Sequence, residues 1–239
     1  MKKHFRTQGI FLKETPHREA DYFFIIYTKE YGLISALGRS IRKIDSKLRG
    51  GAQLFYLSDI EFIEGKNYKI LVDTSTLNRF ENILENVNRL GVAYRISEVA
   101  TNFIKGEEED KALWNLFLKS FKGLNNKEIN PKILFFFFLW NFLSLLGYQP
   151  QLKNCAGCGK ELKPEGLCFS FQAGGVVCKN CSGKIDKEVK INPNIVKIIR
   201  LFLRQKLEIL SHINIPKDNL DNLEEISKKY HLYILESTR

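Results

Sequence analysis

The chain has 239 residues, 44% hydrophobic and 27% charged, the balance of an ordinary globular protein long enough for one large core or two to three small ones. Its 37 lysines and arginines against 27 acids leave a net charge of +10, which points to an anionic partner, nucleic acid before membrane surface, though basicity for solubility alone gives the same number. Met1-Lys2-Lys3-His4-Phe5-Arg6 has no apolar core behind its charges, and the longest apolar run, 133–146, is shorter than the about 20 residues of a spanning helix, so neither a secretory leader nor a membrane segment is expected and the cysteines belong in a reducing cytoplasm.

Residues 1–78 read as five short strands, at 5–11, 22–28, 33–37, 54–63 and 68–73, rich in aromatic and β-branched side chains. Turn signals separate them at Pro16-His17-Arg18-Glu19, Glu30-Tyr31-Gly32, Gly50-Gly51 and Glu64-Gly65-Lys66-Asn67. Five strands in about 75 residues fit a small closed barrel, of which the oligonucleotide-binding (OB) fold is the natural candidate. An SH3-like barrel carries the same signature. Phe5, Tyr22, Tyr27 and Tyr31 are candidates for stacking on bases, with outward orientation unreadable from sequence.

After the third strand comes a basic loop, 38–50. Arg39, Arg42, Lys43, Lys47 and Arg49 face a single acid, Asp45, with Ser40 and Ser46 as further phosphate donors. A solvated basic loop has the same composition. Lys2, Lys3, Arg6 and Arg18 are candidates to extend the patch.

Beyond residue 78 the hydrophobic period lengthens from two to about 3.6. Helices are expected through the apolar positions from Leu84 to Val99, through Leu113, Leu116, Phe117 and Phe121, and over 133–146, with Pro131 at the start and Gly147 at the end of the last. The acidic run 107–110 lies before a helix start and suits its positive end. Helical spacing returns at Pro193 and continues to Leu207, then again over 220–235. The domain reading is 1–78 barrel, 79–150 first part of a helical domain, 151–185 an inserted module and 186–239 the second helical part, an α+β architecture whose helices on both sides of the insert share a core.

The inserted module carries Cys155-Ala156-Gly157-Cys158 and Cys178-Lys179-Asn180-Cys181, two pairs with nineteen residues between them. A two-residue spacer lets a tight turn aim both thiolates of a pair at one ion, and two such pairs supply the tetrahedron that zinc prefers. With no histidine nearby, a closed, structural, all-thiolate site on two knuckles, as in a zinc ribbon, is the natural reading. Two disulfides would strand Cys168, which reads as a small packed side chain.

No enzyme motif appears. His4, His17, His212 and His231 sit in no acid–base or metal pattern, and there is no phosphate loop, dinucleotide turn, nucleophile elbow or two-metal carboxylate spacing. The balance shifts to a binding protein.

Three stretches carry a family resemblance: Thr28-Lys29-Glu30-Tyr31-Gly32-Leu33-Ile34-Ser35-Ala36-Leu37-Gly38-Arg39 with Ser46-Lys47-Leu48-Arg49-Gly50; Gly147-Tyr148-Gln149-Pro150-Gln151-Leu152 leading to Cys155; and Phe169-Ser170-Phe171 through Gly174-Gly175-Val176-Val177-Cys178. With the order of elements they make the chain resemble RecO, a bacterial recombination-mediator and DNA-repair family. The resemblance implies an OB barrel, a helical domain with a zinc module, and binding of single- and double-stranded DNA with annealing of complementary strands. It also implies partnership with RecR in loading RecA on strands coated by single-stranded-DNA-binding protein, whose acidic C-terminal tail is a further partner type. Lys197, Arg200 and Arg204 are a candidate place for that tail. Two rival readings are a zinc-stabilised nucleic-acid-modifying enzyme with a dispersed site and a zinc-ribbon adaptor that binds only protein.

Overall fold

The computed structural model describes residues 3–184, 187–204 and 206–238, so Lys2 and the 185/186 domain boundary lie outside the described residues. The chain divides into two compact units, Met1–Lys127 and Glu128–Arg239, and the division falls inside the 79–150 stretch.

In the first unit β1 (His4–His17), β2 (Asp21–Thr28), β3 (Gly32–Gly38), β4 (Leu57–Glu64) and β5 (Lys69–Asn78) close a barrel in the order β1-β2-β3-β5-β4. The β3–β5 pairing is parallel, Ala36 opposite Lys69 and Leu37 opposite Ile70, while the other pairs are antiparallel. A parallel closure that returns the last strand beside the third is an OB-like Greek key and excludes the SH3-like alternative. Phe11, Phe24, Ile26, Ile34, Ala36, Ile60, Phe62 and Leu71 turn inward and fill the barrel.

Two strands run further than their hydrophobic pattern. β1 continues through Pro16 because, beyond Ile10, it pairs with β2 alone, and on such an edge proline's missing N–H leaves no ladder bond unmade. The turn itself falls on Arg18, at φ 56°. β5 continues through 74–78, polar apart from Leu77, where Thr74, Ser75, Thr76 and Asn78 pair with β4 although the segment buries little. β4, in turn, starts three residues later than its apolar pattern, at Leu57, because Phe55 takes a left-handed φ of 65°.

A short helix α1 (Glu81–Leu84) leads to α2 (Val87–Phe103) and α3 (Lys111–Asn125). They pack on the barrel and its loops through Tyr27 on Phe117 at 4.4 Å and Phe55 on Tyr94 at 4.9 Å between ring centres, and Phe80, which caps α1, lies 5.9 Å from Phe121 of α3. Arg89 of α2 is buried and donates to the carbonyls of Leu124, Asn126 and Lys127, which satisfies the C-terminal end of α3. The acidic run is a strap with helix-capping duty. Asp110 accepts from the Leu113 N–H at 2.9 Å, and Glu107 pairs with Lys69 at 2.5 Å. The Glu108 carbonyl lies over Gly32, whose φ of 57° and missing Cβ both serve that close approach.

The second unit is built on α4 (Pro131–Leu145), which buries every residue from Ile133 to Leu143. Asn130 accepts from the Lys132 and Ile133 N–H groups and Pro131 takes the first turn, while Gly147 closes the run at φ 93°. Trp140 donates its indole N–H to Ser227 of α6 (Lys217–Ser237) at 3.0 Å. A small sheet in the order β7 (Gly175–Val177), β6 (Cys168–Ser170), β8 (Glu188–Lys190) precedes α5 (Pro193–Phe202). α5 stops short of the expected Leu207. The helical ladder ends as the Arg204 N–H turns to the Leu201 carbonyl three residues back, and the Phe202 carbonyl accepts from the buried Asn141 amide at 2.9 Å. Leu207 opens a separate 3-10 turn, Leu207–Ser211. Among the described residues no helix is long and apolar enough to cross a membrane.

Candidate metal centre and nucleic-acid interface

The segment before β6 folds back so that Cys155 and Cys158 meet Cys178 and Cys181, which follow β7. All four sulfurs lie within 4.8 Å of one another, and those of Cys158 and Cys178 are 3.9 Å apart. A tetrahedral ion with metal–sulfur bonds of about 2.3 Å requires about 3.8 Å between ligand sulfurs. The cluster therefore has the dimensions to hold a metal ion, and four soft thiolates in a tetrahedron suit zinc or a single iron.

Backbone geometry prepares the sulfurs. In the first knuckle the Cys155 N–H donates to the Lys160 carbonyl and the Gly159 N–H to the Cys155 carbonyl, with Gly159 at φ 73°. The N–H groups of Gly157 and Cys178 both point at the Cys155 sulfur, at 3.4 and 3.3 Å. Burial raises the Cys155 thiol, but N–H donors from Cys178, Cys158 and Gly157 outweigh it and bring the group down to about 6. Hydrogen bonding with Cys158, then burial and the other two sulfurs, pushes Cys181 up to about 12. These N–H donors thus favour the thiolate at Cys155, the form in which a cysteine ligates a metal. Cys168 stays outside the cluster, half-buried, with its sulfur accepting from the Ser182 hydroxyl at 3.1 Å.

The module is tied to the helices by rings. Phe169 of β6 lies 5.9 Å from Trp140 and 5.1 Å from Tyr230, which itself stacks on Trp140 at 5.5 Å. Arg200 of the basic helix donates to the Leu152 carbonyl at the module's entry. One of the three cations considered for a protein tail therefore has a structural partner, and all three, Lys197, Arg200 and Arg204, are exposed.

The basic loop is a chain of tight turns. Lys43 N–H donates to Ser40, Ser46 to Lys43, Arg49 to Ser46 and Gly51 to Leu48, each to a carbonyl three residues back. Ile41 and Leu48 plug into the barrel core, worth about 1.5–3 kcal/mol each at full burial. Hydroxyls of the barrel grip the main chain of the loop: Thr74 donates to the Leu48 carbonyl at 3.1 Å, Thr76 to Gly50 at 2.9 Å and Ser58 to Gly51 at 2.7 Å. At the other end the Ser40 N–H donates to Asp21 at 2.7 Å. Arg39, Arg42, Lys43, Lys47 and Arg49 are all exposed, and among the described residues none is in an ion pair. Arg42 donates to the Glu19 carbonyl at 3.3 Å and lies 5.8 Å over the Tyr22 ring.

The remaining sequence candidates separate. Tyr27 is 1% exposed and unavailable for stacking, while Phe5, Tyr22 and Tyr31 are partly buried against the core. Arg6 is paired with Glu61 at 2.7 Å, whereas Lys3 lies over the Phe5 ring and Arg18 is exposed at the β1–β2 turn. The fasteners Thr74, Thr76 and Ser58 were missed from sequence. The signal for the first two was the hydroxyl run Thr74-Ser75-Thr76, whose first and third members share one face if the run is a strand; Ser58, on β4, carries no such mark.

A closed OB-like barrel with an unpaired cationic loop, followed by helices that carry a four-thiolate module, defines a two-unit protein with a polyanion-compatible surface and a metal-capable staple. Residues 1–80 match the family described as recombination protein O, N terminal, and residues 84–239 its C-terminal counterpart. The chain is 30% identical over 233 residues to DNA repair protein RecO of Dehalococcoides mccartyi strain BAV1, covering 97% of this chain and 91% of the relative. It is 27% identical over 226 residues to the same-named protein of Caldanaerobacter subterraneus, covering 94% and 90%, and 30% over 232 residues to that of Roseiflexus sp. strain RS-1, covering 97% and 81%. The chain belongs to the RecO family of DNA repair proteins.

Proposed function

We propose that the chain is a non-enzymatic recombination mediator of the cytoplasm and nucleoid. Arg39, Arg42, Lys43, Lys47 and Arg49 take the phosphates of single- and double-stranded DNA. The observation that carries this reading is the set of five exposed cations on a loop whose backbone is fastened to the barrel, free of competing carboxylates at ion-pair distance among the described residues. Ordering is already done before DNA arrives, so little binding energy is lost to it. Neutralising two backbones removes the repulsion between complementary strands, which makes annealing the physical consequence of binding. Cys155, Cys158, Cys178 and Cys181 hold one structural zinc ion. With RecR as partner the chain helps to load RecA on strands coated by single-stranded-DNA-binding protein, the acidic tail of which docks on exposed basic groups.

The test is annealing of complementary strands coated with their binding protein, without nucleotide. Acceleration that disappears when Arg39, Arg42 and Lys43 become alanine supports the reading. No acceleration from folded, metal-loaded protein refutes it and favours a protein-only adaptor, whereas Mg²⁺-dependent turnover of DNA favours an enzyme.

A further inference from the structure

A groove of about 640 Å³ runs between β1 and α2, lined by Leu12, Lys13, Leu54, Tyr94, Ser97 and Asn102. That volume falls within the about 300–1,000 Å³ of clefts that take organic ligands. It adjoins a second cavity of about 270 Å³, formed by Tyr22, Arg42, Arg49 and Gln53 at the foot of the basic loop. Glu14 lines both, and Gln53 of the second cavity precedes Leu54 of the groove in the chain, so the two lie side by side. A β-bulge between Phe11 and Lys13 puts Leu12 on the groove floor beside buried Phe11, a device that often re-aims side chains at a binding site.

Tyr94 is the unusual residue here. It is 50% exposed, yet its ring is fixed by edge-to-face contact with the fully buried Phe55 at 4.9 Å and 84°. A tyrosine held by its neighbour with half its surface open is a preformed stacking platform. Around it the rim is mostly uncharged. Thr101 directs its hydroxyl hydrogen to carbonyls of its own helix and keeps acceptor capacity, as does the buried Ser97 beneath it, and the Asn102 amide has no partner among the described residues. These groups suit base edges, not phosphates. Lys13 supplies a cation on one side and the Glu98 carboxylate on the helix side repels phosphate, which orients a strand with bases inward and backbone toward Lys13, Arg42 and Arg49; Glu14, common to both cavities, favours neither.

We propose that this groove is the base-stacking subsite for single-stranded DNA, with Tyr94 as the platform and the basic loop holding the adjoining phosphates. The inference rests on the DNA-binding reading above and adds to it a single-strand selectivity. A duplex keeps its base faces covered and cannot use Tyr94, so only unpaired bases gain from the groove.

The test measures binding of a labelled 20-nucleotide oligothymidine and a labelled 20-base-pair duplex to the full metal-loaded chain by fluorescence anisotropy. Tyr94→Leu, which keeps an apolar contact with Phe55 but removes the π face, is expected to weaken single-strand binding about five- to hundredfold and leave duplex binding unchanged. Tyr94→Phe is expected to retain single-strand affinity within about threefold, since the stack and not the hydroxyl carries it. Single-strand affinity unchanged in Tyr94→Leu, or an equal loss on both substrates, overturns the inference; if Arg42→Ala still weakens both substrates, the loop reading stands without it. If Arg42→Ala and Arg49→Ala leave all binding unchanged, the DNA-binding reading itself fails and the groove assignment falls with it.

Discussion

Salt dependence gives the sharpest test of the loop. Each phosphate neutralised on a single strand contributes about 0.7 to the slope of log affinity against log salt. If all five cations engage, the slope is about 3.5, and raising salt from about 50 to 200 mM weakens binding roughly 130-fold. Arg42→Ala leaves four contacts, a slope of about 2.8 and a loss of roughly 50-fold over the same range. The substitution is suited to the purpose because Arg42 is exposed and its structural bonds are slight, one donation to Glu19 at 3.3 Å and a distant approach to Tyr22. Folding is checked by thermal melting, and slopes are read from anisotropy titrations at four or more salt concentrations. A slope unchanged beside an intact melt would refute phosphate contact by Arg42. A lower affinity with the wild-type slope would show that the arginine acts on the loop's shape and not on a phosphate.

Three further outcomes follow from the geometry. Replacing both Thr74 and Thr76 by valine removes two hydroxyl donors from the loop's backbone and should lower DNA affinity several-fold while keeping the salt slope, because the cations remain but are no longer held; the same titration checks it. Chelation should expose Trp140, which is buried against Phe169 of the four-cysteine module, and shift its emission to the red, with zinc restoring it; elemental analysis should give one zinc per chain, and iron instead would correct the metal. Glu61 is held below the usual carboxylate range by hydrogen bonds from His4 and then Arg6. Its stabilisation is therefore complete above the unfolded value of about 4.3 and is lost as pH falls through the lower folded value, so the melting difference between wild type and Glu61→Gln should vanish in acid; a difference that persists at the lowest pH refutes the ionic origin.

Much of this arrangement was legible in the residues themselves. The five strands announced themselves by aromatic and β-branched runs, the helices by their period, and the four cysteines by spacing that left few geometries open. What escaped had a common cause: it depended on partners distant in sequence. β5 from Thr74 to Asn78 looks like a loop because its side chains, Leu77 apart, are polar, and only pairing with β4 makes it a strand. The carbonyl of Phe202, where α5 stops, is satisfied by Asn141, sixty-one positions earlier. Arg6 and Arg200 counted as free cations until their partners came into view, Glu61 across the barrel and the carbonyl of Leu152. Tyr94 passed as one more apolar residue of a helical repeat, since nothing in a periodicity tells a covered ring from an open one. The two-unit division at 127/128 likewise has no compositional mark, for helices α1–α3 read like any others.

The way the basic loop is fastened separates two jobs that most binding loops combine. Thr74, Thr76 and Ser58 grip carbonyl oxygens, and every residue type has one. Provided Ile41 and Leu48 remain as plugs, the outward side chains can be rewritten without touching what holds the loop in place. Charge, reach and spacing at positions 39, 42, 43, 47 and 49 are therefore independently adjustable, and the barrel offers an engineer a rigid display frame on which a library of surface chemistries can be sampled at nearly constant stability.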